Sequence, residues 1–208
     1  KIKKKYFSNI EKEIIPIWLS SSSQPKSCDF IFKWFYYNKK LSDELVWQRI
    51  KMALNFNNYK LARYLVRFLS NKNKSWAQIL LKVHFKPKKN LLSKKFKKDN
   101  RYRDTILSYG LDRIAKKNYL DAKRYLSIIK SEYIISDDFY NKKMLEIFIM
   151  ALSTNQKNII YDKNFIRLKN INLKFNLALA QYSIFNSDWG NLLNSIEKLP
   201  VSISNEEK

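Results

Sequence analysis

The sequence predicts an all-α fold, a solenoid of antiparallel helical hairpins, and three observations carry that prediction. Glycine occurs only twice and proline four times in 208 residues. Sandwiches and barrels need turn chemistry every ~8–12 residues, which this chain does not supply. Apolar residues recur at the 3.6-residue period along most of the chain, and the joints between the periodic segments resemble one another.

Taken in chain order, the first helix contains "EKEIIPIWL", where Pro16 should kink or restart it. The connector "WLSSSSQPKSCD" (residues 18–29) follows. Its Gln24-Pro25 step should end one helix direction, because proline biases its predecessor away from the α region. Ser27 or Asp29 can then cap the next helix. Cys28, the single cysteine, reads as a buried free thiol. Val46, Ile50, Ala53 and Leu54 share one helix face, and Leu61, Leu65, Phe68 and Leu69 the next. Ile106, Leu107, Leu111 and Ile114 continue the series, and Leu173, Leu177, Ala180 and Ile184 close it. "MLEIFIMAL" (residues 144–152) is apolar nearly all round, as a helix covered on several sides would be.

The joints repeat as Asn-Tyr-x-x-Ala, at Asn58/Tyr59/Ala62 and Asn118/Tyr119/Ala122, with a looser copy at Asp188/Trp189/Leu192. Each predicts a polar turn, an Asn or Asp cap and an antiparallel helix. The aromatic can wedge between neighbours, and the small residue lets helices approach. One such hairpin cannot bury its own apolar face, so hairpins stack. An ordinary helical bundle is the competing architecture.

The chain carries a net charge of +23, with 33 lysines against 8 arginines and with 21 asparagines. Lysine, asparagine and isoleucine share A+T-rich codons, so the charge reads either as genome composition or as functional anion binding. A dedicated nucleic-acid groove would favour the bidentate fork of arginine. Residues 82–103 hold ten basic residues and one acidic one, with Phe85, Phe96 and Tyr102 interleaved. Lys88, Lys89, Lys94, Lys95, Lys97, Lys98, Arg101 and Arg103 are the candidate glycan- or anion-binding residues. They read either as a phosphate-contacting strip with stacking aromatics or as a solvated surface whose aromatics face the core.

Catalytic chemistry is not visible. One cysteine and one histidine, Cys28 and His84, lie in separate segments and do not make a metal site. His84 reads as a packed or surface residue at a helix end. Two glycines cannot build a phosphate loop. The 18 carboxylates are scattered, with no evident acid–base pair. No cofactor and no metal are expected. No apolar run approaches the ~20 residues of a membrane span. The chain opens on Lys1 rather than methionine, so it reads as a piece of something longer.

The connector carries the most specific signal. Trp-Leu, a short polar loop and Ser-Gln-Pro-x-x-Cys-Asp resemble the N-terminal helical region of soluble lytic murein transglycosylases. "QRIKMAL" followed by "NFNNYKLARYL", then "WAQILLKVHFKPKKNLL" and "ILSYGLDRIAKKNYLDAKRYL", are similar to that family's succession of hairpins. The last part, "NFIRLKNINLKFNLALAQYSIFNSDWGNLLNSIEKLP", resembles its Arg-x-x-x-Ala-Leu…Asp-Trp…Leu-Pro hairpin.

The resemblance implies a right-handed superhelix over residues 1–208, a single periplasmic scaffold domain that holds peptidoglycan strands. A separate lysozyme-like domain of the parent protein would be its partner. That domain cleaves the MurNAc–GlcNAc β-1,4 bond to a 1,6-anhydro end, using a glutamic acid followed by serine. No Glu here is followed by Ser, so no catalytic residue carries over. The resemblance also implies a disulfide partner for Cys28 upstream of Lys1. Two other readings stay open: a tetratricopeptide-like protein-interaction solenoid, and a basic nucleic-acid-binding helical repeat. On the leading reading no specific nucleic acid is bound.

Overall fold

The computed structural model describes the backbone of residues 2–168 and 173–199. Among these the regular structure is entirely helical, twelve α-helices and four short 3-10 turns. The chain forms two compact units, Lys1–Phe85 and Lys86–Lys208.

Unit 1 holds α1 (Ile2–Trp18), α2 (Asp29–Tyr37), α3 (Asp43–Asn55), α4 (Tyr59–Leu65) and α5 (Asn71–Phe85). The α3 face expected from sequence is fully buried, with Val46, Ile50, Ala53 and Leu54 all at 0% exposure. Leu61, Leu65 and Leu69 are buried as well, whereas Phe68 stays half-exposed beside a groove. Helix α1 does not restart at Pro16. It runs two residues further to Trp18, and the Leu19 N–H closes it on the Ile15 carbonyl at 2.8 Å. Proline removes one N–H here, but Lys12 and Pro16 are exposed, so water can serve the freed carbonyl. Neither Ser27 nor Asp29 caps α2. Cys28 is the N-cap residue and makes no side-chain cap bond. The 3-10 turn Lys26–Cys28 leads straight into the helix, and Asp29 sits at its first position, where a carboxylate suits the helix dipole.

Unit 2 holds α6 (Pro87–Asn90), α7 (Arg103–Ala115), α8 (Tyr119–Glu132), α9 (Asp137–Ser153), α10 (Lys163–Leu168), α11 (Leu173–Phe185) and α12 (Trp189–Ile196). Neighbours in sequence pack on one another, α7 on α8, α8 on α9 and α11 on α12. Helix α9 also meets α7 and α11, which explains its apolar run on several sides. Ile106, Leu107, Leu111 and Ile114 are buried as expected. The expected face of α11 is only partly the buried one, with Ala180 buried and Leu177 half-buried. Leu173 and Ile184 are exposed, and Phe175, Leu179 and Tyr182 face inward instead. Apolar residues surround this helix, so periodicity could not select a side. Residues 169–172 and Pro200, part of the closing resemblance, lie outside the described residues.

All three repeated joints are side-chain caps. The carboxamide or carboxylate oxygens of Asn58, Asn118 and Asp188 accept from the backbone N–H of Leu61, Asp121 and Asn191. Ala62 and Ala122 are wholly buried. Tyr59 packs edge-on to Phe85 at 4.4 Å and Tyr119 lies 6.1 Å from Phe148, so in both joints the next helix covers the aromatic. Trp189 differs, being 64% exposed. With so few glycines, four helices, α2, α3, α9 and α11, end on other residues in the left-handed region, Lys39, Asn57, Asn155 and Ser187. Each sits in a paired six-to-one and five-to-two hydrogen-bond pattern, as where Asn58 N–H reaches the Ala53 carbonyl at 2.7 Å and Asn57 N–H that of Leu54 at 3.0 Å.

Candidate functional site

Residues 86–103 of the lysine-rich strip, with all eight candidate cations, lie in unit 2. Of the three interleaved aromatics Phe96 and Tyr102 are core anchors, whereas Phe85, at the end of α5 in unit 1, is 58% exposed. Phe96 is fully buried in the 3-10 turn Lys94–Lys97, 5.9 Å from Tyr133. The Tyr133 hydroxyl donates to the carbonyls of Leu91 at 3.0 Å and Ser93 at 3.2 Å, which pins the turn. Tyr102 is also buried. These two rings are therefore not available to stack on a ligand.

The eight candidate cations divide by partner. Lys88 pairs with Asp121, whose pKa is lowered, first by the hydrogen bond from Lys88. Lys97 lies 3.4 Å from Glu132. Arg101 stacks over the Tyr102 ring at 4.6 Å. Arg103 is buried and paired with Asp104 at 2.9 Å and Asp99 at 3.4 Å. Lys95 is half-buried. Lys89, Lys94 and Lys98 stand exposed without an ion-pair partner among the described residues. The strip is a partly neutralised surface rather than a shaped site. His84 is buried and stacked near Tyr59, with 6.3 Å between ring centroids.

A shaped site occurs in unit 1, around the serine-proline connector. Arg49, on the buried side of α3, reaches the connector: its Nε donates to the Ser20 carbonyl and its Nη2 to that of Ser22, both at 3.3 Å. The amide of Asn58, which already caps α4, donates to the Ser21 carbonyl at 3.3 Å. The serine run thus forms a strap in which the carbonyls of Ser20, Ser21 and Ser22 are held by two side chains from the following hairpin. The Arg49 guanidinium lies 4.5 Å from the centre of the Trp18 ring and 5.4 Å from that of Phe32.

Beside this strap opens a groove of about 860 Å³. Trp18, Phe32, Tyr36, Tyr37, Tyr64 and Phe68 wall it. Their rings meet at steep angles: Phe32 edge-on to Trp18 at 5.1 Å, and Tyr36 and Tyr64 against Phe68 at 5.4 and 5.5 Å. Arg67 lies over Tyr64 at 4.7 Å. Lys33, Arg49, Lys60 and Arg67 line the groove against one carboxylate, Asp29.

Arg49 is the unusual member. It is only 3% exposed, yet no carboxylate pairs with it among the described residues. Burial lowers its pKa, and the Tyr64 phenol opposes that shift. A guanidinium nonetheless stays charged, so the groove contains a buried positive charge balanced only by carbonyls and ring faces. Cys28 adjoins Asp29, free and half-buried. Sequence reading missed this groove, although α2 carried a sign of it. Six of its nine residues are aromatic and only Phe35 is buried.

Among the described residues no group of His, Cys, Asp or Glu is placed to hold a metal ion, and no helix is long and apolar enough to cross a membrane.

No protein-family model matches the sequence, and no curated protein matches it. Solved structures do. Over 98% of its length the chain aligns with a lytic transglycosylase, Slt from Pseudomonas aeruginosa, solved as an inactive mutant, with a TM-score of 0.72 and 20% identity. Over 99% it aligns with the 70-kDa soluble lytic transglycosylase in complex with bulgecin A, with a TM-score of 0.72 and 12% identity. The chain spans 32% and 33% of those two proteins, about a third of each. It shares its all-α fold with that third.

Proposed function

We propose that this chain is a non-catalytic module of a lytic transglycosylase, a periplasmic scaffold that positions peptidoglycan strands for a separate catalytic domain. The observation carrying this reading is the fold match along nearly the whole chain to a third of two lytic transglycosylases. The serine half of the connector and the repeated joints have structural work here, which supports it further. The serine-proline connector is strapped by Arg49 and Asn58, and the Asn/Asp joints are caps. In this reading the parent cleaves the MurNAc–GlcNAc β-1,4 bond with residues outside this chain, and Cys28 pairs with a cysteine upstream of Lys1. The net charge of +23 has the right sign for a wall whose peptide stems bear carboxylates.

Purified murein sacculi test the reading. The chain should sediment with sacculi and release no anhydro-muropeptides on prolonged incubation. Release would place catalysis in this chain, and failure to sediment would remove the positioning role.

A further inference from the structure

We propose that the groove beside the serine strap is a binding site for an acidic amino-sugar oligosaccharide, with Arg49 receiving a carboxylate of the ligand. The inference rests on the peptidoglycan reading only for the identity of the sugar; the site itself follows from its own residues. The Arg49 Nε and one Nη2–H are taken by the Ser20 and Ser22 carbonyls, whereas Nη1 makes no hydrogen bond among the described residues. With no carboxylate beside it, the Nη1–Nη2 end of this guanidinium can meet a ligand carboxylate with two charge-assisted hydrogen bonds. Lys33, Lys60 and Arg67 add positive potential against Asp29 alone. Such a field selects acids over neutral sugars.

The walls suit a sugar ring. A saccharide presents C–H edges that pack on aromatic surface and hydroxyls that need polar partners. Tyr36, Tyr37 and Tyr64 supply exposed surface, with half-buried Phe32 and buried Trp18 behind them. Ser23 and Gln24 line the same groove, and their side chains make no hydrogen bond among the described residues. Its volume of about 860 Å³ falls in the ~300–1,000 Å³ range of small-ligand sites. Single-stranded nucleic acid also uses aromatics and cations, but its bases stack on successive open faces. Here Tyr36 and Tyr64 are interlocked with Phe68 at interplanar angles of 71° and 68°, which offers no run of parallel platforms.

The test is calorimetric titration of the 208-residue chain with three probes: N-acetylglucosaminyl-N-acetylmuramic acid, whose lactyl carboxylate is free; neutral diacetylchitobiose; and decauridylate. The acidic disaccharide should bind at least about tenfold more tightly than chitobiose and lose affinity with added salt. Tyr64→Ala and Arg67→Glu, both exposed positions, should each weaken it about fivefold or more with unchanged circular dichroism. Equal affinity for the two sugars, no binding of either, unaltered binding by both variants, or tighter binding of decauridylate would overturn the proposal. Sacculi separate this from the broader reading. Sedimentation that survives Arg67→Glu and Tyr64→Ala would sink the groove and leave the scaffold standing. Loss of wild-type sedimentation would sink the scaffold while the disaccharide titration still judges the groove.

Discussion

Among the described residues, the most deeply buried cation of unit 1 and that of unit 2 are treated in opposite ways. In unit 2, Lys143 on α9 is 2% exposed and lies between two carboxylates, Asp112 at 2.8 Å and Glu146 at 2.6 Å. In unit 1, Arg49 is 3% exposed and holds two backbone carbonyls and two ring faces instead. An ammonium is compact and strongly hydrated, so burying it calls for opposite charge nearby. A guanidinium is weakly hydrated and planar, and tolerates carbonyls and aromatic faces. Lys143 is therefore a finished structural contact, and the small cavity of about 270 Å³ beside it, which Asp104, Lys142 and Glu146 also line, mixes both charges. Arg49 keeps unspent charge at the wall of an open groove.

The largest expected effect comes from breaking the neutralised site. Lys143→Met should destabilise the fold by about 2 kcal/mol. That is less than the ~3–5 kcal/mol of a fully buried pair, because Asp112 and Glu146 keep part of their surface in water. Burial already raises the Asp112 pKa, with Lys143 opposing it. A carboxylate whose folded pKa is raised favours the fold below its unfolded pKa and loses that contribution as pH rises. The variant's deficit should therefore be larger at neutral pH than in acid, where Asp112, its pKa raised by burial, takes up a proton. Urea melts at neutral and acidic pH check this, and an equal deficit at both would remove the charge argument.

A smaller effect separates two joints that look alike in sequence. Asn118→Ala removes one helix cap, worth about 1 kcal/mol. Asn58→Ala removes the equivalent cap and also the hydrogen bond to the Ser21 carbonyl, so it should cost about 1 kcal/mol more. Equal losses in thermal melts would mean that the strap contributes nothing. The smallest effect has the opposite sign. Lys39 has φ 55° at the end of α2, and Lys39→Gly should stabilise by about 0.5–1 kcal/mol by relieving a left-handed backbone.

These contrasts show how much the sequence disclosed. The buried faces of α3 and α7 were legible because their apolar residues keep to one stripe, and the Asn-Tyr-x-x-Ala joints because a cap needs a short polar side chain at a fixed place. The α11 face was only partly legible, since apolar residues surround it. Trp189 was read as a wedge from its register alone, although whether a neighbour covers it is a tertiary matter. The strip at residues 82–103 stood out because its charges are contiguous, yet Lys88, Lys97, Arg101 and Arg103 are engaged with partners distant or adjacent in sequence. The groove stayed hidden for the converse reason. Trp18, Phe32, Arg49 and Tyr64 come from four helices, and in "QRIKMAL" nothing distinguishes Arg49 from a surface cation.

The contrast between the two buried cations is tested most directly by side-chain NMR. The Arg49 Nε–H and the Lys143 ammonium can be followed while N-acetylglucosaminyl-N-acetylmuramic acid is added. The Arg49 signal should shift in a saturable way as the carboxylate meets the guanidinium, and the Lys143 signal should stay in place. A silent Arg49, or a Lys143 that responds equally, would contradict the assignment of the open charge to the groove of unit 1.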